Sequence, residues 1–362
     1  MDATRFSAEA PAPAIEWGIR QGDWLRRAPG RVGGPGRHKE WLHFCVYGAT
    51  VDVLINFSVV DEIAAADEAP PGPDGRYLEH ARLTLLVRER AWHGEVQSFA
   101  ARDVEIHGGE CALRFGPSSV RYADGRYLVE ARSSDGRIAA GVALRPVAMP
   151  SIVNNVQYGD GPPINWLVVP RLTTTGSIRI DGTTHDLDGA LAYHDHNWGH
   201  FGWGRDFAWE WGYGLPDDPG NPWSLVFVRL SDRAHTRCMM QGVFLWHAGR
   251  EQRVFRDREL HVAQRGLRRF SRLCKVPAVM GLIHPDLATD IPEELSFDGQ
   301  GEGDLLHGTF TTAEAAQVIL PNDQDLGVTV INEVSGRLAV TGRIRGEELR
   351  IDGRAVFEFL GR

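Results

Sequence analysis

Tyr193-His194-Asp195-His196-Asn197-Trp198-Gly199-His200-Phe201-Gly202-Trp203-Gly204-Arg205-Asp206-Phe207-Ala208-Trp209-Glu210-Trp211-Gly212-Tyr213 is the stretch on which the fold reading turns. Alternate residues of a strand share a face. On that template Tyr193, Asp195 and Asn197 point one way, and His194, His196 and Trp198 the other. Further on, Phe207, Trp209, Trp211 and Tyr213 form one stripe, and Ala208, Glu210 and Gly212 the second. Working outward, Asp-Gly pairs start at Asp74, Asp124, Asp135, Asp160, Asp181, Asp188, Asp298 and Asp352. Asp-Gly tolerates the positive φ of tight hairpins. Several of these pairs separate runs rich in β-branched and aromatic residues, such as Val120–Glu130, Ile138–Pro146 and Ala355–Leu360. Short strands with regular turns predict an all-β sandwich or barrel. Helical spacing is faint: Leu260–Val279 carries some, and Thr311–Ile319 reads as a strand or one short helix. No crossover helices are visible, which excludes a βαβ architecture.

The 362 residues suffice for two domains and exceed one comfortable core. The reading divides them into a flexible N-terminus over 1–14 and β domains over 15–200 and 201–362. A formal net charge of −9 argues against a nucleic-acid binder, which needs a basic footprint. Cys45, Cys111, Cys238 and Cys274 are scattered with no CxxC spacing, which fits four reduced thiols better than a disulfide framework or zinc knuckle. Met1–Pro13 shows no apolar signal core, and no stretch is long enough to span a bilayer. A cytoplasmic protein is expected. A lipid-like substrate would bring transient membrane contact for its uptake.

Tyr193–Gly199 resembles the heptad of the carotenoid 1,2-hydratase (hydroxyneurosporene synthase) family and of related AttH-type lipocalin-like proteins. Asn165-Trp166 and Val169-Pro170-Arg171 lead up to it in similar fashion. Glu40-Trp41-Leu42-His43-Phe44 is similar to the family's early aromatic strand, with Leu42 replacing its second aromatic. The closing Val356-Phe357-Glu358-Phe359 is similar too. The resemblance implies two lipocalin-like β-barrel or sandwich domains with a ligand pocket near their junction. It implies cofactor-free hydration of a terminal isoprenoid double bond, or pericyclase or cyclase chemistry on a polyene. It maps the catalytic aspartate onto Asp195.

The residues themselves fit acid catalysis in a greasy site. Burial raises a carboxyl pKa, so a neutral Asp195 or Glu210 could protonate an alkene. Aromatic faces stabilise the cation that follows. Tyr193, His194, Asp195 and His196 are the candidate catalytic residues. Glu40, Trp41, Trp198, Trp203, Trp209, Glu210, Trp211 and Tyr213 are the candidate substrate contacts. On composition alone, core packing is the commoner meaning of such an aromatic stripe. His194-x-His196 could hold a metal, yet histidines bracing Asp195 by hydrogen bonds fit better, and no metal is expected. Arg205 and Asp206 read as an edge ion pair. Gly30–Gly36 follows no strand, so a phosphate loop does not fit. A non-catalytic carrier of a hydrophobic ligand is the remaining alternative.

Overall fold

The computed structural model describes residues 9–26, 37–62, 77–157, 163–202, 207–271, 273–283, 291–322 and 326–360. The expectations for Trp203, Arg205, Asp206, Gly30–Gly36 and most of the N-terminal stretch lie outside these residues. The chain divides into two compact units. The N-terminal unit comprises Pro13–Pro146 and Pro150–Asp206. The C-terminal unit comprises Phe207–Arg362 with Val147–Met149 and the first twelve residues. The aromatic stretch therefore straddles the division, with Tyr193–Asp206 in one unit and Phe207–Tyr213 in the other.

The N-terminal unit opens with helix α1 (Ala12–Gly22), continued by strands β1 (Arg37–Tyr47), β2 (Asp52–Glu62), β3 (Tyr77–Arg88) and β4 (Trp92–Phe99). Next come β5 (Val104–Ile106), β6 (Ala112–Phe115), β7 (Ser118–Ala123), β8 (Arg126–Arg132) and β9 (Ile138–Pro146). The unit ends with β10 (Ser151–Val156), β11 (Ile164–Ile180), β12 (Thr183–Asp186) and β13 (Leu191–Phe201). Its sheet runs β4-β3-β2-β1-β13-β11-β9-β8-β7-β6-β5, with β10 and β12 added on β11. Strands from opposite ends of that order meet. Phe115 of β6 lies 5.4 Å from Phe57 of β2 and 5.6 Å from Phe99 of β4, ring centre to ring centre. The sheet thus wraps around its own core, as right-handed twist allows. Helix α1 was not foreseen. Its eleven residues bury only Ile15, Gly18, Ile19 and Gly22, too few to rise above the Pro/Ala-rich composition around them. A β-carbon on Gly22 would sit 2.4 Å from Ile152 Cδ1 and 2.9 Å from Leu167 Cδ1, so glycine lets the helix end pack against the sheet.

The C-terminal unit contains β14 (Ala208–Pro216), β15 (Trp223–Ser231), β16 (Cys238–His247), β17 (Arg250–Arg256) and β18 (Leu260–Arg265). It continues through β19 (Cys274–Val276), helix α2 (Ala278–Ile283), β20 (Glu294–Gly301), β21 (Asp304–Pro321), β22 (Val328–Ile344) and β23 (Glu347–Leu360). Its order is β17-β16-β15-β14-β23-β22-β21-β20-β18. The short β19 runs parallel to β21; the remaining pairs are antiparallel. Phe227 of β15 and Phe297 of β20 approach to 5.5 Å across the interior, and Phe357 stacks on Phe310 at 4.2 Å. One apolar core, from Leu225 and Phe227 through Phe297 to Phe357 and Phe359, fills the curled sheet.

The all-β expectation holds. Thr311–Ile319 lies within β21. Asp124-Gly125 and Asp181-Gly182 form hairpin turns with both residues at positive φ. Two other Asp-Gly pairs are corrected: Asp298-Gly299 and Asp352-Gly353 lie inside β20 and β23. Glycine serves close approach there. A β-carbon on Gly353 would sit 1.9 Å from the Leu215 carbonyl oxygen on β14. Gly353→Ala is therefore expected to lower stability by about 1–3 kcal/mol, the usual cost of overpacking. Urea unfolding of the full chain measures it, and an unchanged midpoint would refute the close-approach reading.

Candidate active site

Strand β1 pairs along its whole length with β13, so the two segments that carry the family resemblance lie side by side. The register sets Glu40 opposite Trp198, Leu42 opposite His196, His43 opposite Asp195 and Phe44 opposite His194. Alternation then divides the heptad. His194, His196, Trp198 and Glu40 share one face; Tyr193, Asp195, Asn197, Trp41 and His43 share the other. The four candidate catalytic residues do not converge.

The histidine face meets the end of α1. Asp23 closes the last helical turn with its backbone N–H on the Ile19 carbonyl. Its carboxylate accepts from His196 Nδ1 at 2.7 Å, from His194 Nε2 at 3.0 Å and from the Tyr127 hydroxyl. The second nitrogen of His196 donates to Glu40 Oε1 at 2.8 Å, and His38 Nε2 lies 3.1 Å from Glu40 Oε2. The backbone N–H of Arg26 adds a 2.7 Å bond to Glu40, and its guanidinium covers the Trp198 ring. His194 Nδ1 donates to the His43 carbonyl at 2.8 Å, and Phe44 stacks on its ring at 4.2 Å. The histidines thus brace Asp23 and Glu40, not Asp195. Sequence adjacency misled here, because neighbours in a strand point apart.

These side chains are fully buried. Burial pushes the Asp23 carboxyl up, but His194 and His196 outweigh it and hold it well below the usual carboxylate range. Glu40 follows the same logic and falls to about 2. For His196 burial works downward, yet its two carboxylate partners raise it to about 9. The group is an anchored ionic network with its protons fixed in place.

On the opposite face, the Asn197 amide donates to Asp195 Oδ1. His43, directly across the ladder, is pushed down to about 3 by burial and by the charge of His194, so it is a neutral imidazole. The Tyr193 ring lies 6.4 Å from it. Asn56 is the other ladder partner of His43, and Ser58 pairs with Trp41. Asn56, Ser58 and Trp41 are half-buried, while Asp195, His43 and Tyr193 are buried.

In the C-terminal unit the aromatic stripe turns away from the core. Glu210, Gly212 and Gly214 pair with Arg229, Phe227 and Leu225 on the core side. Glu210 accepts from Arg229 at 3.1 Å and Gln264 at 2.7 Å. Trp209, Trp211 and Tyr213 occupy the outer face and are nonetheless buried. In the register Trp211 sits opposite Glu358, and Glu358 opposite Glu333, in one row across β14, β23 and β22. The Trp209 indole N–H donates to Glu358 Oε2 at 2.9 Å. Burial drives the Glu358 carboxyl up; the indole bond draws it part of the way back, to about 7. Glu333 and Glu358 were not among the candidates. Their signal was an acid inside an apolar run, in Val330–Val334 and Val356–Leu360, since a buried charge needs a reason.

No protein-family model matches the chain, and no curated protein matches its sequence. Solved structures do match. A protein from Nitrosomonas europaea, provisionally assigned as AttH, superposes with a TM-score of 0.58 at 14% identity, over 91% of this chain and 98% of that one. Kievitone hydratase from Nectria haematococca superposes with a TM-score of 0.58 at 11% identity, over 98% and 95%. The fold is that of the AttH-type lipocalin-like proteins. Both units take part, because the superpositions run over nearly all of each chain. At such identities the AttH-type likeness speaks for architecture, and the chemistry rests on this chain's own residues.

Proposed function

We propose that the chain is an acid–base enzyme that hydrates a C=C bond of a hydrophobic isoprenoid or polyene. The observation that carries this is Glu358: a buried carboxylic acid, poised at about 7, bonded to one tryptophan and in register with a second. A general acid is best matched near working pH. In the proposed step the Glu358 proton goes to one alkene carbon as the π pair forms the new C–H bond. Trp209, Trp211 and Tyr213 stabilise the cation left on the other carbon. Water then forms the C–O bond and returns a proton to Glu358. The step needs no cofactor. A hydratase among the structures with this fold supports the reading.

Asp195, in the N-terminal unit, is the separate alternative acid, the position onto which the family resemblance maps the catalytic aspartate. The Asn197 amide orients it, and His43, a neutral imidazole, lies directly across the ladder.

Mass spectrometry of products from a panel of acyclic isoprenoids and linear polyenes tests the reading, with Glu358→Gln and Asp195→Asn alongside. A mass gain of one water, abolished by Glu358→Gln, is the expected result. Loss in Asp195→Asn alone would move the acid to Asp195. A product of unchanged mass and altered retention would make the enzyme a cyclase. Tight binding without any product would make it a carrier.

A further inference from the structure

The chain carries a net −9, yet from Leu260 to Pro285 it has no acid and five cations: Arg265, Arg268, Arg269, Arg272 and Lys275. This stretch joins β18 to β20 by way of β19 and α2. Its base is anchored. Phe270 and Leu273 pack against the core of the C-terminal unit, and Arg268 N–H bonds the Ile291 carbonyl at 2.9 Å. Arg265 is shared with Glu294 at 2.9 Å.

Its tip is apolar and open. Val279, Leu282 and Ile283 are 56%, 83% and 61% exposed, and Leu267 is 60% exposed. Positions 279, 282 and 283 follow the spacing of one helix face. The Lys275 stem lies beside Gly281 of the same helix, where a β-carbon would be 3.2 Å from its Cδ. A long basic side chain with its stem along an apolar surface suits a headgroup boundary.

We infer that this segment docks the protein on a lipid bilayer carrying anionic headgroups. Apolar side chains that enter the acyl boundary, flanked by arginines and a lysine, are the recipe for interfacial binding. Charge complementarity selects the partner: in a chain of net −9, the stretch that carries the apolar tip has five cations and no acid. Each basic residue near an anionic leaflet is worth about fivefold in partitioning. No helix among the described residues is long and apolar enough to cross a membrane. Such docking would give the proposed hydrophobic substrate a source. The surface itself rests on residues apart from that chemistry.

Co-sedimentation of the full chain with vesicles tests it without any substrate. Phosphatidylcholine vesicles are compared with vesicles that also contain phosphatidylserine. The expected result is binding to the anionic vesicles, weakened by salt. Reversing two charges, Arg268→Glu with Arg269→Glu, should cut partitioning by at least about 25-fold, two single-charge effects combined. Leu282→Asp with Ile283→Asp should also abolish it, at an unchanged melting temperature. Equal binding by these variants would overturn the inference, as would no binding by the parent chain. A concentration-dependent dimer lost in Leu282→Asp, without vesicle binding, would reassign the patch to self-association. None of these outcomes depends on whether the hydratase reading holds.

Discussion

Glu358→Gln should lower turnover by about 10²–10⁴-fold, the range for loss of a general acid, while leaving the fold intact. Glutamine keeps the shape and can still accept the Trp209 indole N–H. It cannot deliver a proton. The parent enzyme should show kcat/KM falling as pH rises through about 7, because only the protonated carboxyl donates. The variant's residual rate should lose that limb. Stability should move the other way. The folded carboxyl lies at about 7 against 4.5 in the unfolded chain. Its contribution is therefore complete below about 4.5 and is lost as pH rises through 7. At pH 8 the parent carries a buried carboxylate with an indole bond as partial compensation, and glutamine removes that burden. Glu358→Gln should thus gain stability at alkaline pH and almost nothing at pH 4. Low activity with raised alkaline stability is the mark of a strained functional group. A variant that loses activity and stability together would identify Glu358 as structural instead.

How far the sequence could be read depended on whether a feature was local. Alternation in Tyr193–Tyr213 was enough for strands, and the two-faced division of the heptad follows from period two alone. The β1–β13 pairing was not visible, because register is a long-range property and 151 residues separate His43 from His194. Without it, His194 and His196 could only be attached to their neighbour Asp195. Asp23 went unnoticed because it lies just past a helix that the composition disguised. Glu358 stood in view inside a quoted motif. Its chemistry comes from burial and from Trp209, 149 residues away, and neither is written in the tetrapeptide. The Asp-Gly pairs show the opposite error. Turn chemistry is local, but Gly353 answers to the Leu215 carbonyl on another strand.

Asp23→Asn should be the most destabilising single change in the N-terminal unit, at about 3–5 kcal/mol, the cost of breaking a buried ionic group from one side. Asp23 accepts three hydrogen bonds, from His194, His196 and Tyr127. An asparagine has one acceptor oxygen; its amide would turn a donor toward donors already in place. His196 would keep only Glu40, so its proton would be held less firmly. Calorimetry of the full chain should show the N-terminal unit melting about 10 °C lower. The pH dependence separates this network from generic packing. His196 is raised to about 9, so its contribution is whole below about 6.5 and is lost as pH rises through 9. Glu40 and Asp23 are lowered, so theirs is whole above about 4.5 and is lost as pH falls, for Glu40 through about 2. The parent unit should therefore be most stable between about 4.5 and 6.5, and the variant's alkaline decline should be smaller and end at lower pH. A melting temperature within about 2 °C of the parent would mean that helix packing, and not Asp23, holds α1 to the sheet. A large loss with an unaltered pH profile would place the effect in packing, leaving His196 uncharged in the parent.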